Sequence, residues 1–215
     1  MIKNKILVTG AAGYIGGTFT YEVLKKGFEV HGIDNFINSD RSNIDTFLRD
    51  FPAVFSFSEI DIANELSKLK TVLDEFNPDF IIHFAGLKSV GESEEKPDLY
   101  MDNNVGSTRN LLENMNPQSF FIFSSSATVY GNNPNQPLTE ASPIKATSVY
   151  GKSKIECENL IKDYAVNKGV KSICLRYFNP VGSHQEFIVV EDYLNQPNNL
   201  MPKLIECVKN GKNTI

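Results

Sequence analysis

The sequence has few cysteines, no excess of positive charge and no long apolar run. The thiols of Cys157, Cys174 and Cys207 are odd in number, and their spacing matches neither a C-x-x-C metal pair nor a disulfide framework. We therefore expect reduced thiols and no metal site.

With 21 Lys and Arg against 26 Asp and Glu, the net charge of -5 excludes a general basic surface for nucleic acid or anionic lipid. No apolar run approaches the roughly 18 residues of a membrane span, and the first residues lead directly into a strand pattern, which favours a cytoplasmic protein.

The composition itself is that of an ordinary globular protein, with 41% hydrophobic and 22% charged residues over 215 residues. Short apolar runs alternate with segments of helical spacing along most of the chain. The pattern predicts strands at 6–8, 30–33, 54–60, 80–84, 120–123 and 173–177, and helices at 14–26, 66–76, 99–115, 149–166 and 201–209. Such alternation predicts an α/β protein with a doubly wound parallel sheet and right-handed crossovers, the Rossmann fold. Because the pattern stops near residue 180, we expect one domain over 1–180 and the start of a second over 181–215.

A glycine-rich segment joins the first predicted strand to the first predicted helix. Gly10, Gly13 and Gly16 would permit a tight turn and a close approach of the backbone to a pyrophosphate at the helix N-terminus. Asp34 follows the second strand at the distance expected for a carboxylate that binds the adenosine ribose, which favours NAD over its 2'-phosphorylated form. The alternative is a glycine turn that only links strand to helix, with an aspartate that caps a neighbouring element.

A second group of polar residues combines a serine run with a Tyr-x-x-x-Lys pair. Tyr150 and Lys154 lie four apart near the start of a predicted helix, so their side chains share one face. A tyrosine accepts a proton near neutral pH only where a positive charge favours the phenolate, and Lys154 is placed to supply that charge. The serines 124–126 end a strand at the carboxyl edge of the sheet, where open α/β sheets bind ligands. The alternative is a buried helix tyrosine beside a solvated lysine.

Together these segments resemble the extended short-chain dehydrogenase/reductase family, and within it the UDP-glucose 4-epimerase branch. The resemblance extends over the whole chain and rests on GAAGYIG (10–16), HFAGLKSVGES (83–93), DNNVGST (102–108), SSSATVYG (124–131), YGKSK (150–154), LRYFNPVGSH (175–184) and PNNLMP (197–202). It implies an NAD-dependent enzyme that interconverts UDP-glucose and UDP-galactose. In this reaction NAD takes the C4 hydride, the 4-keto sugar turns over, and the hydride returns to its other face.

The resemblance also assigns roles to residues. Tyr150 would be the base on the C4 hydroxyl, Lys154 would bind the nicotinamide ribose and favour the phenolate, and Ser126 would hydrogen-bond the C4 oxygen with help from Thr128. Around NAD it places Gly10, Gly13, Tyr14, Ile15, Gly16, Asp34, Asn35, Asn38, Ser39, Asp61, Ile62, Phe84, Ala85, Gly86, Lys88, Asn103, Ser124, Tyr150, Lys154 and Phe178. Around the UDP-hexose substrate it places Lys88, Ser126, Tyr150, Asn179, Asn198, Asn199 and Leu200.

Simpler interpretations exist for three of these features. Lys88 could be a solvated lysine, and the pair Asn198–Asn199 could form an ordinary turn. His83, on an apolar strand, is more typical of a hydrogen-bonded core histidine than of a ligand, and we assign catalysis to none of the three histidines.

The chain departs from the family pattern in its last part. Family members continue beyond residue 215, so we expect a complete catalytic half and an incomplete sugar-nucleotide-binding domain. The residues Phe187–Val190 replace a glycine-rich acidic stretch, and Ser89 stands where alanine is frequent.

Two alternative functions and one assembly are considered for the same residues. The first alternative is a sugar-nucleotide 4,6-dehydratase or a decarboxylase of the same superfamily. A dehydratase would need an acid–base pair to eliminate water, and the presence of Ala127 and Thr128 after Ser126, in place of an Asp-Glu pair, argues strongly against dehydration. A non-catalytic NAD-binding module is the alternative from a different class, favoured by the early end of the chain and opposed by the intact Tyr150 and Lys154. Relatives pair through two long helices, so the resemblance implies a homodimer through the helices at 99–115 and 149–166.

Overall fold

The computed structural model describes residues 4–182, 184–186 and 200–211. Its centre is one parallel sheet of six strands, in the order β3-β2-β1-β4-β5-β6. The strands are β1 (Lys5–Thr9), β2 (Glu29–Asp34), β3 (Phe55–Glu59), β4 (Phe80–His83), β5 (Phe120–Ser126) and β6 (Ser172–Tyr177). Chain order reverses between β1 and β4, and a crevice at the carboxyl ends of the strands is expected at such a point.

Helices connect the strands, and one more helix follows the last strand. They are α1 (Tyr14–Lys25), α2 (Ser42–Asp50), α3 (Leu66–Phe76), α4 (Val90–Glu95), α5 (Pro97–Asn114), a 3-10 turn (Ala127–Tyr130), α6 (Val149–Lys168) and α7 (Leu200–Lys209). Local signals explain several helix ends. The side chain of Ser148 caps α6 by accepting from the Gly151 N–H, and Gly169 ends that helix in a left-handed conformation.

Side chains of each strand alternate between two cores, one on each face of the sheet. Leu7 and Phe121 pack with α3, α5 and α6 on one face. Val8 and Val30 pack with α1 and α2 on the other face. Both faces are covered, which explains the continuous apolar runs of the strands and confirms the doubly wound Rossmann fold predicted from the sequence.

The structure corrects several predicted boundaries. It adds α2 and α4, which the sequence analysis did not predict, and it extends β5 through the three serines to Ser126. The predicted strand at 80–84 ends at His83, one residue earlier. In helix α2, Ile44, Phe47 and Leu48 follow helical spacing, but the helix has only nine residues, fewer than the window over which a helical period is judged. Helix α4 has six residues, too few to show a period. In the described part of the chain, no helix is both long and apolar enough to cross a bilayer.

Candidate active site

A cavity of about 270 Å³ opens at the carboxyl ends of the strands. The loops after β1, β2, β3 and β4, the end of β5 and one face of α5 contribute to its wall. The cavity therefore lies in the crevice where the strand order reverses, the position at which α/β sheets bind nucleotides.

The glycine loop at the start of α1 forms one wall of this cavity. An added Cβ at Gly10 would lie 2.8 Å from the Ala85 nitrogen, and one at Gly16 would lie 2.1 Å from the Gly10 oxygen, so these two glycines are required by packing. At Gly13 the nearest atom to an added Cβ is 3.4 Å away, and the fold itself gives no steric reason for a glycine. Gly13 lines the cavity, so its missing side chain leaves room there for a ligand. Among the described residues, no side chain caps the α1 N-terminus, where free N–H groups favour an anion.

Asp34 lies beside the glycine loop, at the end of β2. One carboxylate oxygen accepts from the Ala12 N–H at 3.0 Å, and the other accepts from the Phe36 N–H and the Ser39 hydroxyl, both at 3.0 Å. The carboxylate is thus fixed in orientation by three donors while it lines the cavity. A fixed negative charge at this edge suits a ribose with two hydroxyls and disfavours a 2'-phosphate.

At the end of β5, Ser126 is oriented by its neighbour Thr128. The Ser126 Oγ accepts from the Thr128 backbone N–H at 3.2 Å and from the Thr128 hydroxyl at 3.0 Å. A serine hydroxyl has two acceptor lone pairs and one donor. Since both lone pairs are engaged, the Ser126 O–H remains to donate to another oxygen.

Lys154 is the buried cation of the site, with 5% of its surface exposed. Its Nζ donates to the Ser124 carbonyl at 3.0 Å and lies 4.7 Å from the Phe123 ring centroid. The same Nζ lies 5.7 Å from the ring centroid of Tyr150, which is half-buried one turn earlier on α6. An added Cβ at Gly86, in the cavity wall, would be 3.7 Å from this Nζ. The ammonium therefore connects the cavity wall to the tyrosine. Among the described residues only the Ser124 carbonyl accepts from it, which leaves two of its three N–H groups for a ligand.

The histidines lie outside this chemistry. His83 is buried, and its two ring nitrogens pair with the hydroxyls of Thr9 at 2.7 Å and Thr108 at 3.2 Å. Burial, with a smaller contribution from the charge of Lys154, lowers the pKa of His83 to about 3. Burial also lowers the pKa of His31 to about 4. Within the described residues, no group of three or more His, Cys, Asp or Glu side chains is arranged to hold a metal.

Most of the residues that the resemblance assigned to NAD meet in the cavity wall. The wall contains Gly10, Gly13, Tyr14, Ile15, Gly16, Asp34, Asn35, Asn38, Ser39, Asp61, Ile62, Phe84, Ala85, Gly86, Lys88, Asn103 and Ser124. Tyr150 and Lys154 are not part of the wall: Lys154 reaches it through the Ser124 carbonyl, and Tyr150 lies beside Lys154. Phe178 is different: it is 61% exposed and is not part of the wall.

The substrate side is less completely described. Asn179 is exposed after β6, and Leu200 begins α7. Asn198 and Asn199 lie outside the described residues, as do the residues Phe187–Val190.

Several wall residues were missed by the sequence analysis. These are Ala12, Ile37, Asp40, Ser42, Asn43, Ile60, Ala63, Leu87 and Ser107. Ser107 lies one helical turn after Asn103, so helical spacing could have revealed it. Asn43, whose side chain donates to the Ala12 carbonyl at 2.9 Å, lies on the unpredicted helix α2 and gave no signal.

Comparison with known proteins agrees with this geometry. The model of the NAD dependent epimerase/dehydratase family matches residues 6–215. The chain is 42% identical over 207 residues to UDP-glucose 4-epimerase 2 of Arabidopsis thaliana, covering 94% of this chain and 59% of that protein. It is 43% identical over 205 residues to UDP-glucose 4-epimerase of Erwinia amylovora, covering 94% and 60%.

Solved structures give the same result. A UDP-glucose 4-epimerase from Bifidobacterium longum, in complex with NAD+ and UDP, superposes with a TM-score of 0.89 at 36% identity. One from Stenotrophomonas maltophila, with bound NAD and formylated UDP-arabinopyranose, superposes with a TM-score of 0.90 at 34% identity. In both cases the match covers 99% of this chain and 64% of the other. The chain thus spans about three fifths of the length of its relatives, and it belongs to the NAD dependent epimerase/dehydratase family.

Proposed function

We propose that this chain carries the NAD-binding and proton-transfer centre of an enzyme that interconverts UDP-glucose and UDP-galactose at C4. Membership of an NAD-dependent family supports the cofactor, and relatives named UDP-glucose 4-epimerase support the substrate class. The cavity residues fit NAD: the side-chain-free wall at Gly13 and the uncapped α1 N-terminus suit a pyrophosphate, and Asp34 suits the adenosine ribose. When bound, NAD supplies the hydride acceptor for C4.

The residues of the chain itself handle the proton. Tyr150 accepts the proton of the C4 hydroxyl as the hydride leaves, and Lys154 stabilises the phenolate through its nearby charge. Ser126 donates its free O–H to the C4 oxygen, held in orientation by Thr128. Lys88 lines the cavity, and we propose that it binds the cofactor or the substrate diphosphate. For the UDP side of the substrate we propose Asn179, Asn198, Asn199 and Leu200.

A single observation carries this proposal. Lys154 is buried, donates to the Ser124 carbonyl in the cavity wall, and also lies beside the Tyr150 ring. A buried ammonium is costly unless a partner of opposite charge or strong polarity is present. A phenolate on Tyr150 and a ribose hydroxyl are partners that match this position.

The experiment compares the wild type with Tyr150→Phe in the conversion of UDP-galactose to UDP-glucose. We expect the variant to lose turnover by about 100-fold or more, because only the proton acceptor is removed. Its affinity for NADH should stay within a few-fold of wild type. Tyr164→Phe is the matched control, since it makes the same change farther along α6 and should leave turnover intact. Retention of most activity by Tyr150→Phe would refute the assignment.

A non-catalytic NAD-binding module is the second candidate. The observation that favours it is the cavity lining, since most of the residues assigned to NAD form the wall whereas Tyr150 and Ser126 are not part of it. The same assay separates the two functions. A wild-type chain that binds NADH but converts no UDP-hexose would support the module, whereas conversion that depends on Tyr150 would exclude it.

Further proposals concern organisation. We propose an NAD-binding domain at 1–180 and the beginning of a sugar-nucleotide-binding domain at 181–215.

We also propose a homodimer, supported by the side-by-side packing of α5 and α6, whose outer faces could form a four-helix bundle with a second copy. A monomer in sedimentation at micromolar concentration would contradict this assembly. The absence of a disulfide between the three cysteines in the described residues supports the proposed reducing, cytoplasmic setting. Relatives named UDP-glucose 4-epimerase support the proposed role in galactose metabolism.

A further inference from the structure

The first turn of α6 is held by groups from another helix as well as by its own cap. The N-cap Ser148 accepts from the Gly151 N–H at 3.0 Å. The two N–H groups between Ser148 and Gly151 are bound by side chains of α4. Glu94 accepts from the Val149 N–H at 2.8 Å, and the Ser93 Oγ accepts from the Tyr150 N–H at 3.1 Å. The first N–H groups of a helix have no partner inside that helix. Here a helix 55 and 57 residues earlier in the chain supplies partners for two of them.

Ser93 also connects this turn to the cavity wall. It is fully buried, and its hydroxyl donates to the Val90 carbonyl at 2.6 Å. Val90 is the first residue of α4 and follows Lys88 by two positions. A continuous hydrogen-bonded path therefore runs from the segment that carries Lys88, through Ser93, to the backbone of Tyr150.

Helix α4 is itself fixed by the buried Tyr100 of α5. The Tyr100 hydroxyl donates to a Glu92 carboxylate oxygen at 2.9 Å and accepts from the Ser89 N–H at 3.0 Å. Burial, together with the hydrogen bond to Glu92, raises the pKa of Tyr100, so this hydroxyl remains a donor at every physiological pH. Ser89 in turn caps α4 by accepting from the Glu92 N–H at 3.3 Å. A helix of six residues would be unstable alone, and these contacts hold it in place.

We propose that Ser93 and Glu94 are positioning residues for Tyr150. They fix the first turn of α6, and with it the tyrosine, relative to the segment that carries Lys88. This inference rests on the proposed function, in which Tyr150 and Lys88 act at one site. Loss of a helix cap shifts the equilibrium toward a frayed first turn by about fivefold to tenfold. Fraying would move Tyr150 away from the reacting oxygen.

The test compares neighbouring glutamates and two buried serines. Glu94→Ala removes the acceptor for the Val149 N–H, Glu94→Gln keeps an oxygen acceptor, and Glu95→Ala removes an adjacent exposed charge. Within the described residues the Glu95 side chain makes no hydrogen bond or ion pair, which makes Glu95 the matched control. Ser93→Ala is paired with Ser119→Ala. Ser119 is also buried and donates to a carbonyl, that of Pro78 at 2.6 Å, at the opposite end of the sheet.

Four quantities are measured on each variant below its unfolding temperature: amide exchange at 148–151, NADH binding, and kcat and KM for UDP-galactose. We expect Glu94→Ala and Ser93→Ala to speed amide exchange at 148–151 by about fivefold to tenfold, the shift typical of a lost cap, and to lower kcat. KM should change little, and Glu94→Gln should restore kcat. Glu95→Ala and Ser119→Ala should resemble wild type in kcat, even if Ser119→Ala lowers the unfolding temperature. Equal kcat in Glu94→Ala and Glu95→Ala would overturn the proposal.

Failure of the proposed function would appear in the wild type, whereas failure of this inference appears only in the variants. If the wild type binds NADH without converting UDP-galactose, the positioning role of Ser93 and Glu94 is tested by the fluorescence of bound NADH. This fluorescence is a suitable probe because the nicotinamide ring of NADH would lie beside Tyr150. Glu94→Ala and Ser93→Ala should then alter the emission or weaken NADH binding, with recovery in Glu94→Gln. Emission and affinity equal to those of Glu95→Ala would overturn the role.

Discussion

Replacement of Gly16 by alanine should destabilise the protein, whereas the same replacement at Gly13 should not. An alanine Cβ at position 16 would lie 2.1 Å from the Gly10 oxygen and 2.8 Å from the Gly10 carbon. The Gly10 carbonyl cannot easily move away. The Gly10 N–H donates to the Ile33 carbonyl at 2.8 Å, and the Gly10 oxygen accepts from the Gly13 N–H at 3.2 Å. An added Cβ at Gly10 would itself approach Ala85, which shows that the loop is packed from both sides.

The magnitude follows from two opposing contributions. Forcing extra atoms into a packed region costs about 1–3 kcal/mol and occasionally more. Because the added Cβ would overlap the backbone atoms of Gly10, we take the cost at the upper end of this range or beyond. Gly16 lies inside α1, where alanine favours the helix by about 1 kcal/mol. The net loss for Gly16→Ala is therefore about 2–3 kcal/mol. Gly13 has φ of -72° and ψ of 172°, which alanine adopts readily, and its change at the N-cap should cost only about 0.5 kcal/mol.

Urea unfolding of both variants, with and without NADH, measures these differences. Gly13→Ala should fold almost as stably as wild type but bind NADH more weakly, because its methyl group enters the cavity wall. Gly16→Ala should lose stability even without the cofactor. A Gly16→Ala protein within about 0.5 kcal/mol of wild type, the usual range of surface substitutions, would refute the packing argument.

Three further outcomes are expected. Burial lowers the pKa of His83 to about 3 and of His31 to about 4, so below pH 6.5 the unfolded chain binds protons that the folded chain does not. As the pH is lowered from 6.5 to 5, the free energy of unfolding should thus fall by roughly 1.4 kcal/mol per pH unit per histidine. In a His31→Asn variant, the free energy of unfolding from urea titrations should change with pH about half as steeply. Arg176 binds both oxygens of the largely buried Glu158, at 3.0 and 2.7 Å. Arg176→Met should cost about 3 kcal/mol, and adding Glu158→Leu should recover part of it; no recovery would contradict this estimate. Asp34→Asn should narrow the preference for NADH over NADPH by about tenfold in binding titrations, since one charge is removed. An unchanged ratio would remove Asp34 from cofactor selection.

The sequence predicted the elements whose local pattern is long or continuous. The strands β1, β2 and β4 lie within two residues of their predicted positions, because each is a continuous apolar run. The helices α3, α5 and α6 lie equally close to theirs, because each is long enough for helical spacing to show. The glycine loop and the Tyr150–Lys154 pair were predicted for a related reason, since their chemistry depends on short-range spacing. Helix α2 was missed because its nine residues are fewer than the window over which a helical period is judged.

The contacts that complete the site could not be predicted from local patterns. Glu94 and Ser93 meet the start of α6 across more than 50 residues of chain, and neither residue lies in a periodic element. The link from Lys154 to the Ser124 carbonyl likewise depends on how α6 packs on β5. Such pairings arise from tertiary packing, which a single sequence does not encode in its local spacing.

The most direct test of the account follows the hydrogen at C4. UDP-galactose carrying deuterium at C4 is incubated with the NAD-loaded chain, and the UDP-glucose formed is analysed by mass spectrometry and NMR. The account predicts that the deuterium remains at C4 of the product, because it leaves as hydride to a cofactor shielded in the cavity and returns to the other face. Product in which C4 deuterium is replaced by solvent hydrogen would show that the C4 hydrogen leaves as a proton, and would contradict the proposed chemistry.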